Sequence, residues 1–340
     1  MSCWNHSGEK VLLGRCSLVM RILITGGFGF VGGRLAVHLV QAGHQIVLGS
    51  RKAIIPPDWL PYAEVAQMEW EDGYALECIC RGVDVVIHAA GMNAQECATD
   101  PLAALAFNGV ATARLVEAAI RAGVLRFIYI STAHVYASPL EGSITEETCP
   151  RNLHPYATSH LAGEQAVLHA SQREQMHGIV VRLSNAFGAP MHKAVNCWML
   201  LVNDLCRQAV QTHKLVLQTS GLQHRDFVRL SAVCHVTEYL TVGNIETIQT
   251  GIVNVGAGSS QSVFAMTKLI QQRCVKVLGF EPVLQRVQSG ADERHSTLTY
   301  RTNNLTALGI NFNGLDNSAE IDTLLRFCQS TFPPIKSPDA

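Results

Sequence analysis

Tyr156 and His160 are the residues whose types and spacing point most directly to chemistry in this chain. They stand four positions apart in the segment Pro155-Tyr-Ala-Thr-Ser-His-Leu-Ala-Gly-Glu164, a spacing that places two side chains on one face of a helix. A tyrosine followed four residues later by a lysine is typical of a redox enzyme, and here the lysine position holds histidine. The pair therefore predicts proton-transfer chemistry at this helix and leaves the state of its catalytic base open.

A glycine-rich loop near the start of the chain predicts where a nucleotide binds. Gly26, Gly29 and Gly32 follow the apolar run 21–25 and precede a helical pattern that ends near Gly43. A second apolar run, 45–49, follows as a βαβ unit requires. Glycine lets the backbone approach a pyrophosphate without a Cβ in the way, while the amides of the helix N-terminus face the anion. This segment therefore predicts a dinucleotide-binding unit.

The residues that close the second strand indicate which dinucleotide is bound. Ser50, Arg51 and Lys52 stand there, at the position where a carboxylate would bind both hydroxyls of the adenosine ribose. A serine hydroxyl and two cations can instead receive a 2′-phosphate. NADP is therefore favoured and NAD remains possible; a solvated basic loop is the alternative interpretation.

Strand and helix patterns alternate through the first half of the chain. Apolar runs predict strands at 83–90, 125–131 and 178–183, with helices from Asp100 toward Gly123 and from Tyr156 to about His177. This alternation predicts an α/β fold with a doubly wound parallel sheet of the Rossmann type and ligand sites at the carboxyl ends of the strands. After Asn185 the pattern loosens to a helix at 198–211, a strand at 250–255 and a helix at 262–278.

These patterns divide the chain into two parts and a leader. We predict a Rossmann domain formed by residues 20–184 and about 225–256, and a smaller, interleaved substrate-binding lobe formed by about 185–224 and 257–335. Residues 1–19 lack a continuous apolar core and a small-residue cleavage site, so they are not typical of a signal peptide. They are either a flexible extension or the product of an upstream start.

Composition disfavours several other classes of protein. The 340 residues are 48% hydrophobic and 16% charged, enough to bury a large core. The net charge of −1 gives no field for nucleic acid or anionic lipid, and we expect no apolar run to approach the roughly 20 residues that span a bilayer. Eleven cysteines and fourteen histidines form no metal-ligand spacing, which predicts free thiols in the cytoplasm and no metal.

Seven motifs in order resemble the extended short-chain dehydrogenase/reductases, the NAD(P)-dependent epimerase/dehydratase family, over residues 20–308. The motifs are Thr25-Gly-Gly-Phe-Gly-Phe-Val-Gly32, His88-Ala-Ala-Gly91, Ile130-Ser-Thr-Ala-His-Val-Tyr136, Pro155-Tyr156, Arg182-Leu-Ser-Asn-Ala-Phe-Gly188, Arg225-Asp-Phe-Val228 and Asn254-Val-Gly-Ala-Gly258. The loop and the resemblance together imply a cofactor site formed by Gly26, Gly29, Phe30, Val31, Gly32, Ser50, Arg51, Lys52, Glu69, Trp70, Ala89, Ala90, Gly91, Asn108, Tyr156 and His160.

The resemblance also implies the catalytic roles. Thr132 would bind the reacting oxygen of the substrate, and Tyr156 would be the general acid/base for alcohol–carbonyl interconversion. In the family a lysine ammonium lowers the pKa of the tyrosine and holds the nicotinamide ribose. An imidazole has a usual pKa near 6.5 and is largely neutral at pH 7. His160 thus leaves three outcomes open: a working enzyme with a modified relay, a slow enzyme, or an NADP-binding sensor or complex partner with weak or no turnover.

The resemblance further implies a nucleotide-linked sugar or a similar hydroxy/keto compound as substrate. Asn185 and Arg225 would bind its diphosphate, for which the donor fork of arginine is suited; an arginine–aspartate pair inside the Arg225 motif is the alternative. Ala133 and His134 follow Thr132 where 4,6-dehydratases have an Asp-Glu pair, which disfavours dehydration. Net reduction and epimerisation both stay open, and the residues favouring NADP favour reduction. By analogy, the helices that begin after Asp100 and at Tyr156 could pair in a homodimer.

Overall fold

The protein is described by a computed structural model that covers residues 19–52, 55–245, 247–248, 250–288, 297–312 and 316–335. The leader predicted at 1–19 lies, except for its last residue, outside the described residues. Parts of the predicted substrate-binding lobe, at 289–296 and 313–315, also lie outside them.

The strands and helices alternate along the chain as the sequence predicts. The strands are β1 (Arg21–Thr25), β2 (Gln45–Ser50), β3 (Glu64–Gln67), β4 (Val85–His88), β5 (Arg126–Thr132), β6 (Gly142–Ile144), β7 (His177–Leu183), β8 (Asn185–Phe187), β9 (Lys214–Leu217), β10 (His224–Arg229), β11 (Ile252–Val255), β12 (Ser260–Ser262), β13 (Val283–Arg286) and β14 (Leu298–Tyr300). The helices are α1 (Phe30–Gln41), α2 (Gly73–Cys80), α3 (Ala94–Thr99), α4 (Pro101–Ala104), α5 (Thr112–Ala122), α6 (Pro155–Gln172), α7 (Leu201–Thr212), α8 (Leu230–Val242), α9 (Val263–Leu278), α10 (Asn303–Ala307) and α11 (Ser318–Thr331).

A seven-stranded sheet carries the cavity described below. Its strands lie in the order β11-β7-β5-β4-β1-β2-β3, and every pairing is parallel. The chain enters at β1, builds outward to β3, and then returns to β4 on the other side of β1. The crevice at the carboxyl ends of β1 and β4 is therefore the switch point at which doubly wound sheets bind ligands. The predicted Rossmann fold is confirmed.

Both faces of this sheet are covered because successive side chains of a strand point to opposite faces. Ile22 and Ile24 pack with α1 and α8 on one face, whereas Leu23 packs with α2, α5 and α6 on the other. These strands therefore appear in the sequence as continuous apolar runs. The layers fix the carboxyl ends of the strands as a rigid rim.

A second core lies outside the large sheet. Helices α7, α9 and α11 pack together beside a three-stranded sheet of order β12-β10-β8. The chain crosses between the two parts more than once, since β10 joins this small sheet and β11 joins the large one. The division into two domains remains a prediction.

Several element boundaries differ from the sequence predictions by a few residues; helix α7, for example, begins at Leu201 rather than at 198. Helix α6 ends at Gln172, and His177, where we expected the helix to end, is the first residue of β7. Helix α9 begins at Val263 because Ser262 caps it, accepting a hydrogen bond from the amide of Ala265 at 3.0 Å.

The stretch Pro101–Ala122 corrects the expectation about membrane-length segments. Helices α4 and α5 are joined by a π-helical turn, Leu105–Ala111, and the resulting 22-residue helix is long and apolar enough to cross a membrane by length and composition. Half of its most apolar window is buried inside the protein, where it packs on α6 and α2. Core helices of soluble proteins meet the same criterion, so this stretch is weak evidence for a membrane span.

Candidate active site

A cavity of about 750 Å³ opens at the carboxyl ends of β1, β2, β4 and β5. The predicted site residues that line it are Gly26, Gly29, Phe30, Val31, Ser50, Arg51, Lys52, Trp70, Ala89, Ala90, Gly91, Thr132, Tyr156, His160, Asn185 and Arg225. Gly32, Glu69 and Asn108 lie behind or beside its wall. The fold thus brings together residues that are up to 199 positions apart in the chain, from Gly26 to Arg225.

The glycine loop forms the floor of one end of this cavity. Gly26 has φ +68°, and a Cβ on it would lie 2.8 Å from the backbone of Ala89. A Cβ on Gly32 would collide with the carbonyl oxygen of Gly26, so Gly32 is required for the loop to pack on α1 rather than for contact with a ligand. Helix α1 begins with Gly29 as its N-cap, without a side-chain cap or an acidic residue in its first turn. Its N-terminal amides and its positive dipole end therefore suit an anion.

The basic residues after β2 lie at the same end. The guanidinium of Arg51 lies over the ring of Phe107, 5.7 Å from its centre, and Phe107 packs edge-on against Trp70 at 5.2 Å. The amide of Lys52 donates to the Ser50 hydroxyl at 3.2 Å. Glu69 accepts a hydrogen bond from Gln67 at 2.9 Å and lines a second, more open cavity of about 610 Å³ that also contacts Arg51 and Trp70.

Asn108 fixes the loop after β4 rather than lining the cavity. It lies in the π-helical turn and is almost fully buried. Its Oδ1 accepts from the amide of Met92 at 2.8 Å, and its Nδ2 donates to the Ser159 hydroxyl at 3.0 Å. A π-helical turn displaces side chains from their normal helical positions and is frequent at functional sites. In this protein the π-helical turn lets the side-chain amide of Asn108 connect the loop that contains Gly91 to helix α6.

Tyr156 and Thr132 meet at the centre of the cavity. Tyr156 lies in the first turn of α6, which His154 caps by accepting from the amide of Tyr156 through Nδ1 at 3.1 Å. Thr132 ends β5, and its hydroxyl accepts from the amide of His134 at 3.1 Å. Burial raises the pKa of Tyr156, and hydrogen bonding to Thr132 offsets part of that rise. The phenol is therefore protonated at neutral pH.

His160 sits beside Tyr156 as a neutral imidazole. Its ring centre is 4.6 Å from that of Tyr156, with the rings nearly perpendicular at 73°. Its Nδ1 is hydrogen-bonded to the Tyr129 hydroxyl at 2.8 Å, and a Cβ on Gly91 would lie 3.4 Å from its Cε1. Burial lowers the pKa of His160 to about 4. The position that holds lysine in the family pattern thus carries no positive charge here at pH 7.

A second neutral imidazole supports this region from behind. His88 is hydrogen-bonded to Thr25 at 2.6 Å and to Thr112 at 2.8 Å, and it stacks on Tyr129. Burial lowers the pKa of His88 to about 3, with the neighbouring His160 as a smaller cause. The sequence analysis did not assign Tyr129 or His88 to the site, because a buried strand pattern does not show which partner each side chain contacts.

An ion pair lies one helical turn farther along α6. Glu164 accepts from Arg182 at 2.6 Å and from the Ser131 hydroxyl at 2.5 Å, and both charged side chains are almost fully buried. The pair therefore joins α6 to β7 and to the end of β5, directly before Thr132. Glu164 lies four residues after His160, on the helix face that carries Tyr156 and His160. This spacing could have identified Glu164 from the sequence.

The opposite end of the cavity contains Asn185 and Arg225. The amide of Asn185 donates to the carbonyl of Asp226 at 3.0 Å. Arg225 is half-buried, and it makes no ion pair with any residue in the described ranges. Asp226 points the other way along β10, where it accepts from Ser184 at 2.5 Å and from the amide of Ala257 at 2.8 Å. The arginine–aspartate pair considered from the sequence is therefore not formed.

His134 is a cavity residue that the sequence analysis did not assign to the site. It lies in the 3₁₀ turn Ala133–Val135 after β5 and lines the cavity. Burial lowers the pKa of His134, and the charge of Arg225 lowers it further. In the part of the chain that the structure describes, no group of three or more histidine, cysteine or acidic residues is placed to hold a metal ion.

A protein-family model and two curated relatives match this chain. The model described as the NAD dependent epimerase/dehydratase family matches residues 22–256. A dTDP-D-glucose 4,6-dehydratase of Mus musculus is 26% identical over 299 residues, which is 84% of this chain and 81% of the relative. A dTDP-6-deoxy-L-talose 4-dehydrogenase (NAD(P)(+)) of Kitasatospora kifunensis is 29% identical over 262 residues, 74% of this chain and 78% of the relative.

The fold is also found among solved structures. The NAD-dependent NDP-hexosamine 5,6-dehydratase TunA, involved in tunicamycin biosynthesis, superposes with a TM-score of 0.72. The match covers 92% of this chain and 98% of TunA at 24% sequence identity. At 24% identity, the similarity to TunA shows a shared fold.

Proposed function

Because this chain belongs to the NAD-dependent epimerase/dehydratase family, we propose that it is an NADP-dependent oxidoreductase or epimerase acting on a nucleotide-linked sugar. Hydride would move between the nicotinamide and a hydroxyl- or keto-bearing carbon, with Tyr156 as acid/base and net reduction favoured. The observation that carries the proposal is that Tyr156 and Thr132 line the same cavity as the glycine loop.

The residues of the cavity fit a dinucleotide cofactor. The loop leaves no room for a Cβ at Gly26, and the uncapped start of α1 offers amides to a pyrophosphate. The indole nitrogen of Trp70 is buried without a hydrogen-bond partner among the described residues, beside the end where an adenosine moiety would lie. When bound, the nicotinamide would supply or accept the hydride; the protein supplies position and protons.

Arg51 is the basis for preferring NADP. Its guanidinium is exposed and lies over Phe107 at the mouth of the cavity, and the end of β2 presents no carboxylate. A 2′-phosphate placed there would meet Arg51 and Lys52 and the Ser50 hydroxyl. Charge-assisted hydrogen bonds of this kind are stronger than neutral ones.

The ionisation of Tyr156 favours reduction over oxidation. Reduction of a ketone needs a proton donor, and the protonated phenol of Tyr156 can supply one while Thr132 holds the same oxygen. Oxidation of an alcohol needs the phenolate, which is scarce at neutral pH because burial raises the pKa of Tyr156. The rate of oxidation should therefore rise with pH, up to about tenfold per unit, while that of reduction stays level.

The substrate class that we propose rests on Arg225. The type of reaction rests on the segment after Thr132, which contains no carboxylate. An arginine without an ion-pair partner among the described residues, lining a cavity, suits a diphosphate. Ala133 is buried and His134 is neutral, so this segment offers no acidic pair for eliminating water. We therefore prefer reduction or epimerisation to dehydration, although the Mus musculus relative and TunA are both dehydratases.

A second candidate is an NADP-binding protein with weak or no turnover, acting as a sensor or a complex partner. The neutral state of His160 favours it, because burial keeps that pKa near 4 and removes the charge that would activate Tyr156. The two candidates share the cofactor and differ in catalysis.

Incubation with NADPH or NADP⁺ and a panel of UDP- and dTDP-linked sugars separates the two candidates. If the protein is a working enzyme, we expect a change in nicotinamide absorbance or a product that can be separated from the substrate. We expect Tyr156→Phe to abolish both signals. Cofactor binding without any product would support the second candidate. A fluorescence titration that finds equal affinity for NADPH and NADH, or a preference for NADH, would overturn the role of Arg51.

A further inference from the structure

The substrate end of the cavity holds basic groups without a balancing carboxylate. His134 and Arg225 line it from the turn after β5 and from β10. Glu96 is the one acidic residue among the described lining residues, and its carboxylate accepts from the amide of Asn93 in the capping box of α3. The Glu96 carboxylate is therefore engaged in this cap and does not balance the charge of Arg225. An anion bound at the substrate end would contact His134 and Arg225.

The main chain of His134 is anchored independently of its imidazole. Its amide donates to the Thr132 hydroxyl at 3.1 Å, and its carbonyl accepts from the Asn152 side chain at 2.7 Å. The side chain is thus held next to the residue that would bind the reacting oxygen, and substituting it leaves both anchors in place.

We propose that His134 is a proton-linked part of the substrate site: a diphosphate held by Arg225 draws a proton onto the His134 imidazole, so that nucleotide-sugar binding is coupled to proton uptake. The inference rests on the proposed function, since it takes a nucleotide sugar as the ligand. It adds that the affinity for this ligand depends on pH through His134, a residue to which the family resemblance assigned no role.

The physical cause is a reversal of the electrostatic field at His134. In the free protein, burial, the charge of Arg225 and the nearby His154 lower the pKa of His134, and the Ala137 carbonyl opposes them. Tyr156, which lines the same cavity from α6, stays protonated and contributes no charge. A diphosphate carries two negative charges, which neutralise Arg225 and leave an excess that favours the imidazolium. Affinity then falls with rising pH, by up to about tenfold per unit between the free and bound pKa values of His134.

Isothermal titration calorimetry with UDP-glucose and dTDP-glucose tests this coupling. The protein is saturated with cofactor, and affinity is measured from about pH 6 to about pH 8.5, where the charge of a diphosphate diester is constant. Two buffers with different ionisation enthalpies give the number of protons taken up. We expect proton uptake and falling affinity in the wild type, and for His134→Gln a flat profile with little uptake.

The control variant is His154→Asn. It removes the other imidazole that acts on His134, while asparagine keeps an N-cap acceptor for the amide of Tyr156. We expect its proton uptake to match the wild type, and loss of uptake in this variant alone would overturn the assignment to His134. Binding without proton uptake, or with equal uptake in His134→Gln, overturns the inference and leaves the substrate class intact. Failure of both sugars to bind a protein that still binds NADPH overturns the inference together with the nucleotide-sugar function.

Discussion

Replacing His160 by lysine should restore the missing charge next to Tyr156. The ring centres of the two residues are 4.6 Å apart, and we take about 5 Å as the distance from an ammonium at this position to the phenol oxygen. At an effective dielectric constant of about 20, a unit charge at that distance stabilises the phenolate by about 3 kcal/mol. That energy corresponds to a fall of about 2 in the pKa of Tyr156. The wild type lacks this stabilisation of the phenolate, because its His160 imidazole is neutral above about pH 4.

The assay is the pH dependence of alcohol oxidation with NADP⁺ and of ketone reduction with NADPH. For His160→Lys we expect the rising limb of the oxidation profile to move to lower pH by about 2, which raises the rate of oxidation at pH 7 up to about 100-fold. Reduction should change much less, because the phenol remains largely protonated. His160→Gln is the matched control: it keeps a polar, neutral side chain and should not shift the limb.

Two results would refute this reasoning. An oxidation profile of His160→Lys that superimposes on the wild type would show that charge at this position does not control Tyr156. An equal shift in His160→Gln would assign the effect to lost packing against Tyr129. If His160→Lys raises turnover in both directions from near zero, the cofactor-binding candidate is favoured over the working enzyme.

Three further changes test the cofactor loop, the cofactor preference and a buried acid. Gly26→Ala should lower the free energy of unfolding in urea by more than about 2 kcal/mol and abolish NADPH binding, since its Cβ would collide with Ala89. Gly82→Ala, with φ +70° and no neighbour within 4 Å, should cost only about 1 kcal/mol and keep NADPH binding. Arg51→Ala should weaken NADPH binding about tenfold and leave NADH binding unchanged in a fluorescence titration; an equal loss for both would remove Arg51 from the phosphate site. Burial raises the pKa of Asp226 to about 6, above its unfolded value near 3.9, so its contribution to stability is lost as pH rises from about 4 to about 6, by about 3 kcal/mol in total. Asp226→Asn should not show this loss when its unfolding free energies at the two pH values are compared. An equal loss in the wild type and in Asp226→Asn would contradict the role of Asp226.

The fold could be predicted because it depends on local patterns. The glycine loop, the apolar strands and the cap at Asp100 each arise from a few adjacent residues, and Asp100 accepts from the amide of Ala103 as its type predicts. The ends of elements were less certain, as the end of α6 shows. The helix from Asp100 toward Gly123 was predicted, but the π-helical turn within it was not, because no local pattern shows that polar Asn108 faces inward.

The site could be located from the sequence, but the states of its groups could not. The pattern places Tyr156 and His160 on one face, yet the neutrality of His160 depends on its burial and on Tyr129, 31 residues away. The link between His134 and Arg225 likewise depends on the fold, which brings both residues to the same cavity. Such states depend on distance and solvation in three dimensions, which no spacing in the sequence encodes.

The most direct test of the account is hydride transfer itself. NADPH labelled with deuterium at the transferable position is mixed with UDP- and dTDP-linked 4-keto sugars, and product mass is followed for the wild type and for Tyr156→Phe. We predict one deuterium on a sugar carbon in the wild type, and formation of that product at least about 100-fold more slowly in Tyr156→Phe. Binding of NADPH without deuterium in any sugar, or equal transfer by Tyr156→Phe, would contradict the assignment of Tyr156 as the acid/base of a working enzyme.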